Sequence, residues 1–117
     1  MKRSIGVIIA AIATAFVIGC TPQKEAAKVT ITEYYHPSCE TCISMMPVVD
    51  AVQAEFKGSV LIVRVSLDTK EGAKKASALS IATIPMFVFS DFQGVDYYRH
   101  DGKMTKEEIE NIIRIKL

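Results

Sequence analysis

The sequence predicts an α/β domain in which helices cover both faces of a mixed β-sheet. Two observations predict this class. Segments with the two-residue alternation of strands take turns with segments of helical periodicity, in the order β-α-β-α-β-β-α. The chain is 117 residues long, which suits one small domain. Half of its residues are hydrophobic and 23% are charged, a composition that excludes an intrinsically disordered chain.

The first half of the domain is predicted to be strand, helix and strand. Residues 29–35 alternate and are rich in β-branched and aromatic side chains, and Pro37 ends that strand. A helix is expected over residues 39–57, ended by Gly58. Its apolar positions recur at steps of four, three and four, at Met45, Val49, Val52 and Phe56. Residues 60–67 form the second strand, expected to lie parallel to the first after a right-handed crossover.

The second half is predicted to be helix, hairpin and helix. Residues 70–80 suggest a short, weakly amphipathic helix, and the fully apolar residues 86–90 indicate a buried central strand. After a turn at residues 91–94, residues 95–100 alternate and should pair antiparallel with that strand. The last helix starts at a capping box, Thr105 with Glu108, and its apolar face carries Ile109, Ile112 and Ile113.

The first nineteen residues have the pattern of an export signal. Lys2 and Arg3 precede an apolar run of signal-peptide length over residues 5–18. The run ends in Val17-Ile18-Gly19-Cys20, which resembles a bacterial lipoprotein signal. That resemblance implies cleavage before Cys20 and a lipid on the Cys20 sulfur. We therefore expect a signal over residues 1–19, a lipidated cysteine with a polar tether over residues 20–28, and a folded domain over residues 29–117.

Two other interpretations of this segment stay open. It could remain uncut as a signal anchor, because residues 4–23 carry no charge and could span a bilayer core of about 30 Å. It could also be cut as an ordinary secretory signal, with Cys20 lost or left free. All three interpretations put the domain outside the cytoplasm, and the lipoprotein interpretation anchors it in the cell envelope. Stable lipid anchoring requires more than one acyl chain, and a diacylated Cys20 meets this requirement.

Charge argues against a nucleic-acid partner. Apart from Lys2 and Arg3, the chain has 12 basic and 13 acidic side chains, a net charge of −1. A domain with this charge lacks the basic patch that binding to a nucleic-acid phosphate backbone requires.

The chemistry is predicted to reside in Cys39-Glu40-Thr41-Cys42, which follows a strand and opens a helix. A lone pair of this spacing can serve redox chemistry or zinc. Zinc needs four ligands, and the other candidates are His36, His100 and a Cys20 predicted to carry lipid, so no metal is expected. A purely structural disulfide would close a very small loop and stabilise little. Spacing therefore favours a redox pair.

The position at the start of a helix predicts a different role for each of the two cysteine sulfurs. Unpaired N–H groups and the positive end of the helix dipole favour thiolate over thiol in the first turn. Cys39 should therefore attack a substrate disulfide, and Cys42, one turn deeper, should resolve the mixed disulfide. Glu40 is an anion that opposes this stabilisation.

From residue 29 to residue 117 the chain resembles the thioredoxin family in its minimal β-α-β-α-β-β-α form. The resemblance implies that Glu33, six residues before Cys39, is the buried proton acceptor for Cys42. It also implies that Arg64 is the basic residue near that acid, and that Pro47 bends the active-site helix. Glu33 shares a strand face with apolar residues, which independently predicts burial, although an exposed edge carboxylate is the alternative.

The segment Thr83-Ile84-Pro85 matches the family's substrate-binding turn. The resemblance implies a cis Ile84–Pro85 bond beside the cysteines and a preceding backbone that pairs with substrate; an ordinary trans proline is the alternative. Three features depart from the family. Ser38 replaces the usual tryptophan. Glu40-Thr41 replaces the Gly-Pro pair that helps set the redox potential in the family, so these two residues are expected to tune it here. Residues 21–28 are too short for the family's first strand and helix. Residues 60–67 should then form an exposed sheet edge.

These patterns predict a membrane-anchored reductase of protein disulfides. Its partners would be protein thiols or disulfides and an upstream thiol electron donor, with no cofactor beyond the Cys39–Cys42 disulfide. A disulfide oxidase or isomerase is the second possibility. A third is a binding module that holds peptides at Ile84-Pro85 without catalysis.

Overall fold

The structure, a computed structural model, describes residues 26–117. The predicted signal, Cys20 and most of the tether lie outside the described residues. Within them the predicted order of elements is confirmed, with bounds that differ from the expected ones by one or two residues. The elements are β1 (Val29–Tyr35), α1 (Glu40–Phe56), β2 (Val60–Ser66), α2 (Lys70–Ala78), β3 (Met86–Asp91), β4 (Asp96–Asp101) and α3 (Lys106–Arg114).

The four strands form one sheet in the order β2-β1-β3-β4. β1 and β2 run parallel with Tyr35 opposite Ser66, while β3 is antiparallel to β1 with Tyr34 opposite Met86. β4 pairs antiparallel with β3, as the hairpin pattern predicted. The ends of β1 and β2 and the start of β3 therefore meet at one end of the sheet, which we call the site end.

Two hydrophobic layers cover the sheet, one on each face. The larger layer lies under α1 and α3, and three of the four predicted α1 residues, Met45, Val49 and Val52, are buried in it. The fourth, Phe56, packs at its margin. The smaller layer lies under α2 and is formed by Tyr34, Val65, Ala76, Met86 and Val88. β1 and β3 are central strands, which explains why both faces of β3 are apolar.

Side-chain caps set where the helices begin. Cys39 is the N-cap of α1, so the helix itself starts one residue later than the sequence predicted. Thr69 caps α2 by accepting the N–H of Gly72 at 2.9 Å. At α3 the predicted capping box is confirmed: Thr105 N–H donates to Glu108 at 2.7 Å and Glu108 N–H donates back at 3.2 Å.

β2 is an edge strand, as predicted, and two apolar side chains in its first half are exposed. On the face that α2 covers elsewhere, Leu61 is 46% exposed and Val63 is 37% exposed. No helix within residues 26–117 combines the length and apolar character needed to cross a membrane.

Candidate active site

The two cysteines are joined by a disulfide at the start of α1, with their Cα atoms 5.2 Å apart. Cys39 is partly exposed, whereas the Cys42 side chain is fully buried. The Sγ atom of Cys39 accepts the N–H of Cys42 at 3.2 Å, so a first-turn amide of α1 is aimed at this sulfur. One sulfur is therefore accessible to a partner and stabilised as an anion, and the other is shielded from solvent.

Glu33 is fully buried on β1, on the face that packs against α1. Its Oε2 accepts a hydrogen bond from Arg64 Nε at 3.2 Å, and its Oε1 has no partner among the described residues. Burial raises the pKa of Glu33, and the guanidinium of Arg64 offsets only part of that effect. A buried carboxyl with one free oxygen and a raised pKa is suited to accept and release a proton.

Arg64 reaches Glu33 because the two residues are register partners on neighbouring parallel strands. Its Nη2 also donates to Asp50 Oδ1 at 2.9 Å and to the Met46 carbonyl at 3.4 Å. The guanidinium thus joins β1, β2 and α1 at one point. Asp50 competes with Glu33 for the positive charge, and its own negative charge further raises the pKa of Glu33.

The peptide bond between Ile84 and Pro85 is cis, as the resemblance implied. Pro85 is buried, and its carbonyl accepts the N–H of Gly102 at 2.8 Å. Thr83 is exposed and Ile84 is partly exposed. Within residues 26–117, the backbone groups of Thr83 and Ile84 have no backbone hydrogen-bond partner, so they are free to pair with an extended peptide.

Three residues at this end of the molecule were missed as site residues by the sequence analysis. His36 was considered only as a zinc ligand, yet its ring bonds Ser38 and faces Asp68 across the neighbouring loop. Asp50 was missed because nothing in the spacing of α1 separates it from an ordinary exposed acid. Ile43, 45% exposed directly after Cys42, adds apolar surface beside the disulfide.

The structure places most of the predicted site residues at the site end. Two of them, Glu40 and Thr41, form no side-chain hydrogen bond with the others. Glu33 and Arg64 touch each other, the cysteines are bonded, and residues 83–85 lead into β3 at the same end of the sheet. Glu40 is exposed and Thr41 partly exposed in the first turn of α1. Within residues 26–117 no cluster of histidine, cysteine or acidic side chains could hold a metal ion.

Comparisons with known proteins agree with this geometry. The sequence profile of the thioredoxin family matches residues 21–115. The chloroplast thioredoxin-like protein HCF164 of Oryza sativa is 27% identical over 99 residues, which cover 81% of this chain and 38% of that protein. Thioredoxin of a Synechocystis strain is 33% identical over 67 residues, which cover 56% of this chain and 61% of that protein. The chain thus spans well under half the length of the first relative and about three fifths of the second.

Solved structures share the fold at lower sequence identity. Thioredoxin of Fasciola hepatica superposes with a TM-score of 0.67 at 22% identity, over 79% of this chain and 84% of that one. Thioredoxin-2 of a malaria parasite superposes with a TM-score of 0.69 at 17% identity, over 75% of this chain and 82% of that one. The profile match spans most of the sequence, and the element order, the cysteine pair and the cis proline agree with it. This chain belongs to the thioredoxin family.

Proposed function

We propose that this chain is a thiol-disulfide oxidoreductase that reduces disulfides of other proteins through Cys39 and Cys42. The observation that carries the proposal is the asymmetry of the cysteine pair. The accessible Cys39 sulfur accepts an N–H at the helix start, and the Cys42 side chain is fully buried beneath it. A structural crosslink has no need of one accessible and one shielded sulfur, whereas disulfide exchange needs both.

In the first step, the Cys39 thiolate attacks one sulfur of a substrate disulfide. A bond forms between Cys39 and that sulfur, the substrate disulfide breaks, and its other sulfur leaves as a thiolate. The substrate chain lies extended beside residues 83–85, where the free backbone groups of Thr83 and Ile84 pair with it. The exposed Ile43, next to Cys42 in the chain, offers apolar contact.

In the second step, Cys42 attacks the Cys39 sulfur and releases the second substrate thiolate. Cys42 must first lose its proton, and Glu33 is the acceptor: it has a free oxygen, it is buried, and burial raises its pKa. Two electrons pass from the dithiol to the substrate, and the Cys39–Cys42 disulfide is left behind. A thiol electron donor then restores the dithiol.

The proposal includes a location outside the cytoplasm, anchored to a membrane through a lipidated Cys20. It is supported by the pattern of residues 1–20 and by one relative, HCF164, whose name describes it as a chloroplast protein. Metabolic labelling with a fatty acid should tag the full chain, and Cys20→Ala should abolish the tag. Equal labelling of the variant and the wild type would refute the anchor and leave the redox proposal intact.

Insulin reduction with dithiothreitol as electron donor tests the activity. Wild type should accelerate the reaction, and Cys39→Ser should fall to the rate of dithiothreitol alone. Cys42→Ser is the matched control, because it keeps the attacking sulfur and should accumulate a mixed disulfide with substrate. If the wild type and Cys39→Ser both ran at the rate of dithiothreitol alone, the chain would be a peptide-binding module that uses the Ile84-Pro85 segment without redox chemistry.

The direction of electron flow is tested by the reduction potential of the Cys39–Cys42 pair against glutathione. A reductase should equilibrate near the thioredoxin value of about −270 mV, and an oxidase near about −120 mV. Replacing Glu40-Thr41 by Gly-Pro in the same chain measures how far these two residues move the potential. A wild-type reduction potential near about −120 mV would mean that the chain is an oxidase and not a reductase.

A further inference from the structure

The loop that leads from β1 to Cys39 is held by hydrogen bonds to one residue, His36. Ser38 N–H donates to His36 Nδ1 at 3.1 Å, and the Ser38 hydroxyl lies 2.6 Å from the same nitrogen. The carbonyl of His36 accepts the N–H of Cys39 at 3.0 Å. Pro37 has no N–H, so both backbone donors between Pro37 and α1, those of Ser38 and Cys39, are bonded to His36.

These hydrogen bonds define the state of the ring. A backbone N–H can only donate, so Nδ1 must present its lone pair, and the proton of a neutral imidazole lies on Nε2. Nε2 faces Asp68 Oδ1 at 3.6 Å, in the loop between β2 and α2. At 3.6 Å this approach is longer than a hydrogen bond, so the ring holds the Cys39 loop through Nδ1.

We propose that His36 is a positioning residue for Cys39 that acts through its Nδ1 atom; this inference rests on the function proposed above. The Cys39 sulfur receives the Cys42 N–H at 3.2 Å only while Cys39 stays in its N-cap conformation, φ −85° and ψ 102°. The bonds from His36 to Ser38 and Cys39 hold the loop in that conformation.

The test measures alkylation of reduced Cys39 by iodoacetamide in the full-length chain, with the modified residue located by peptide mass. His36→Asn places an amide oxygen where Nδ1 was and can still accept the Ser38 N–H, as in an Asx turn. His36→Gln places its amide near Nε2 instead and leaves Ser38 without an acceptor. His36→Leu removes both nitrogens. His100→Asn, at the only other histidine, is the matched control.

His36→Gln and His36→Leu should slow alkylation at neutral pH about fivefold, the effect of one lost hydrogen bond, and should move the midpoint of its pH profile upward. His36→Asn and His100→Asn should stay within about twofold of the wild type on the same scale. Equal rates for His36→Asn and His36→Gln would overturn the inference. Should His36→Leu fail to fold, that comparison still decides, and because alkylation needs no substrate protein, it is independent of the insulin assay.

Discussion

At the residue scale, the most consequential group is a carboxyl that the fold holds away from water. Glu33 has no exposed surface, one of its oxygens has no partner among the described residues, and Arg64 divides its charge between Glu33 and Asp50. Folding therefore favours the protonated form of Glu33. The same arrangement that suits a proton acceptor works against stability, as is common at functional sites.

Glu33→Gln should stabilise the oxidised protein at neutral pH by about 1–3 kcal/mol, because the amide avoids the cost of ionising a buried carboxyl and its oxygen can still accept the Arg64 hydrogen bond. Since burial raises the pKa of Glu33 above 4.5, the contribution of Glu33 to the free energy of unfolding is fully present below that pH and is lost as the pH rises through the raised pKa. Urea unfolding at a series of pH values should show this fall in the wild type and not in the variant.

Glu108→Gln is the control, because it should change the pH dependence in the opposite sense. The N–H of Thr105 lowers the pKa of Glu108, so its contribution is present above 4.5 and is lost as the pH falls through the lowered pKa. If Glu33→Gln had the same pH dependence of stability as the wild type, Glu33 would not be a buried, desolvated acid.

Asp50→Asn should lower the pKa of Glu33. Burial raises that pKa most, and the Asp50 carboxylate adds to the rise, while its bond to Arg64 at 2.9 Å draws positive charge away from Glu33. A titration of the Glu33 carboxyl by NMR should move to lower pH, and resolution by Cys42 should move with it. Glu55→Gln, on the same helix but bonded to Lys106, should leave both unchanged.

At the element scale, the starts of α1 and α2 each depend on one particular residue. α1 begins at a cysteine instead of the usual Ser, Thr, Asp or Asn, so the capping position itself is the proposed nucleophile. α2 begins so close to the end of β2 that a Cβ at Gly72 would overlap the backbone carbonyl of Ser66. Glycine is required there by the close approach of two chain segments.

Gly72→Ala should destabilise the domain by about 1–3 kcal/mol through this overlap, although alanine is the better helix former by about 1 kcal/mol. Urea unfolding measures the change. Gly58→Ala is the control: it lies at φ +82° with no atom within 4 Å of the added Cβ, so it should lose about 1 kcal/mol from backbone strain alone. A stabilised Gly72→Ala would mean that the loop before α2 moves aside freely.

At the scale of the whole molecule, the sheet order leaves β2 at an edge. Leu61 and Val63 are exposed there, and an apolar edge is a surface on which another strand can pair.

Val63→Lys should reduce concentration-dependent self-association of the full chain, because a charge at an edge opposes strand pairing. Light scattering over a dilution series measures the change. Phe92→Lys is the control, since Phe92 is 71% exposed at the turn between β3 and β4 and lies off the β2 edge. Identical association of the wild type and Val63→Lys would show that the β2 edge takes no part.

Local sequence determined much of this protein. Strand alternation, the spacing of Met45, Val49 and Val52, and the caps at Thr69 and Thr105 act within one or two turns, so each could be read along the chain. The cysteine pair could be found because its chemistry depends on neighbouring residues and on a helix start. The family resemblance then supplied the proline and the buried acid.

Only the tertiary structure decided how charge is shared around Glu33 and how the loop before Cys39 is held. Asp50 reaches Arg64 from another element, and Asp68 faces His36 from another loop. These contacts join residues 14 and 32 positions apart, and no periodicity encodes them. Hydrogen bonds and ion pairs depend on distances of a few ångströms in space, which the packing of α1 on the sheet sets and the order of residues does not.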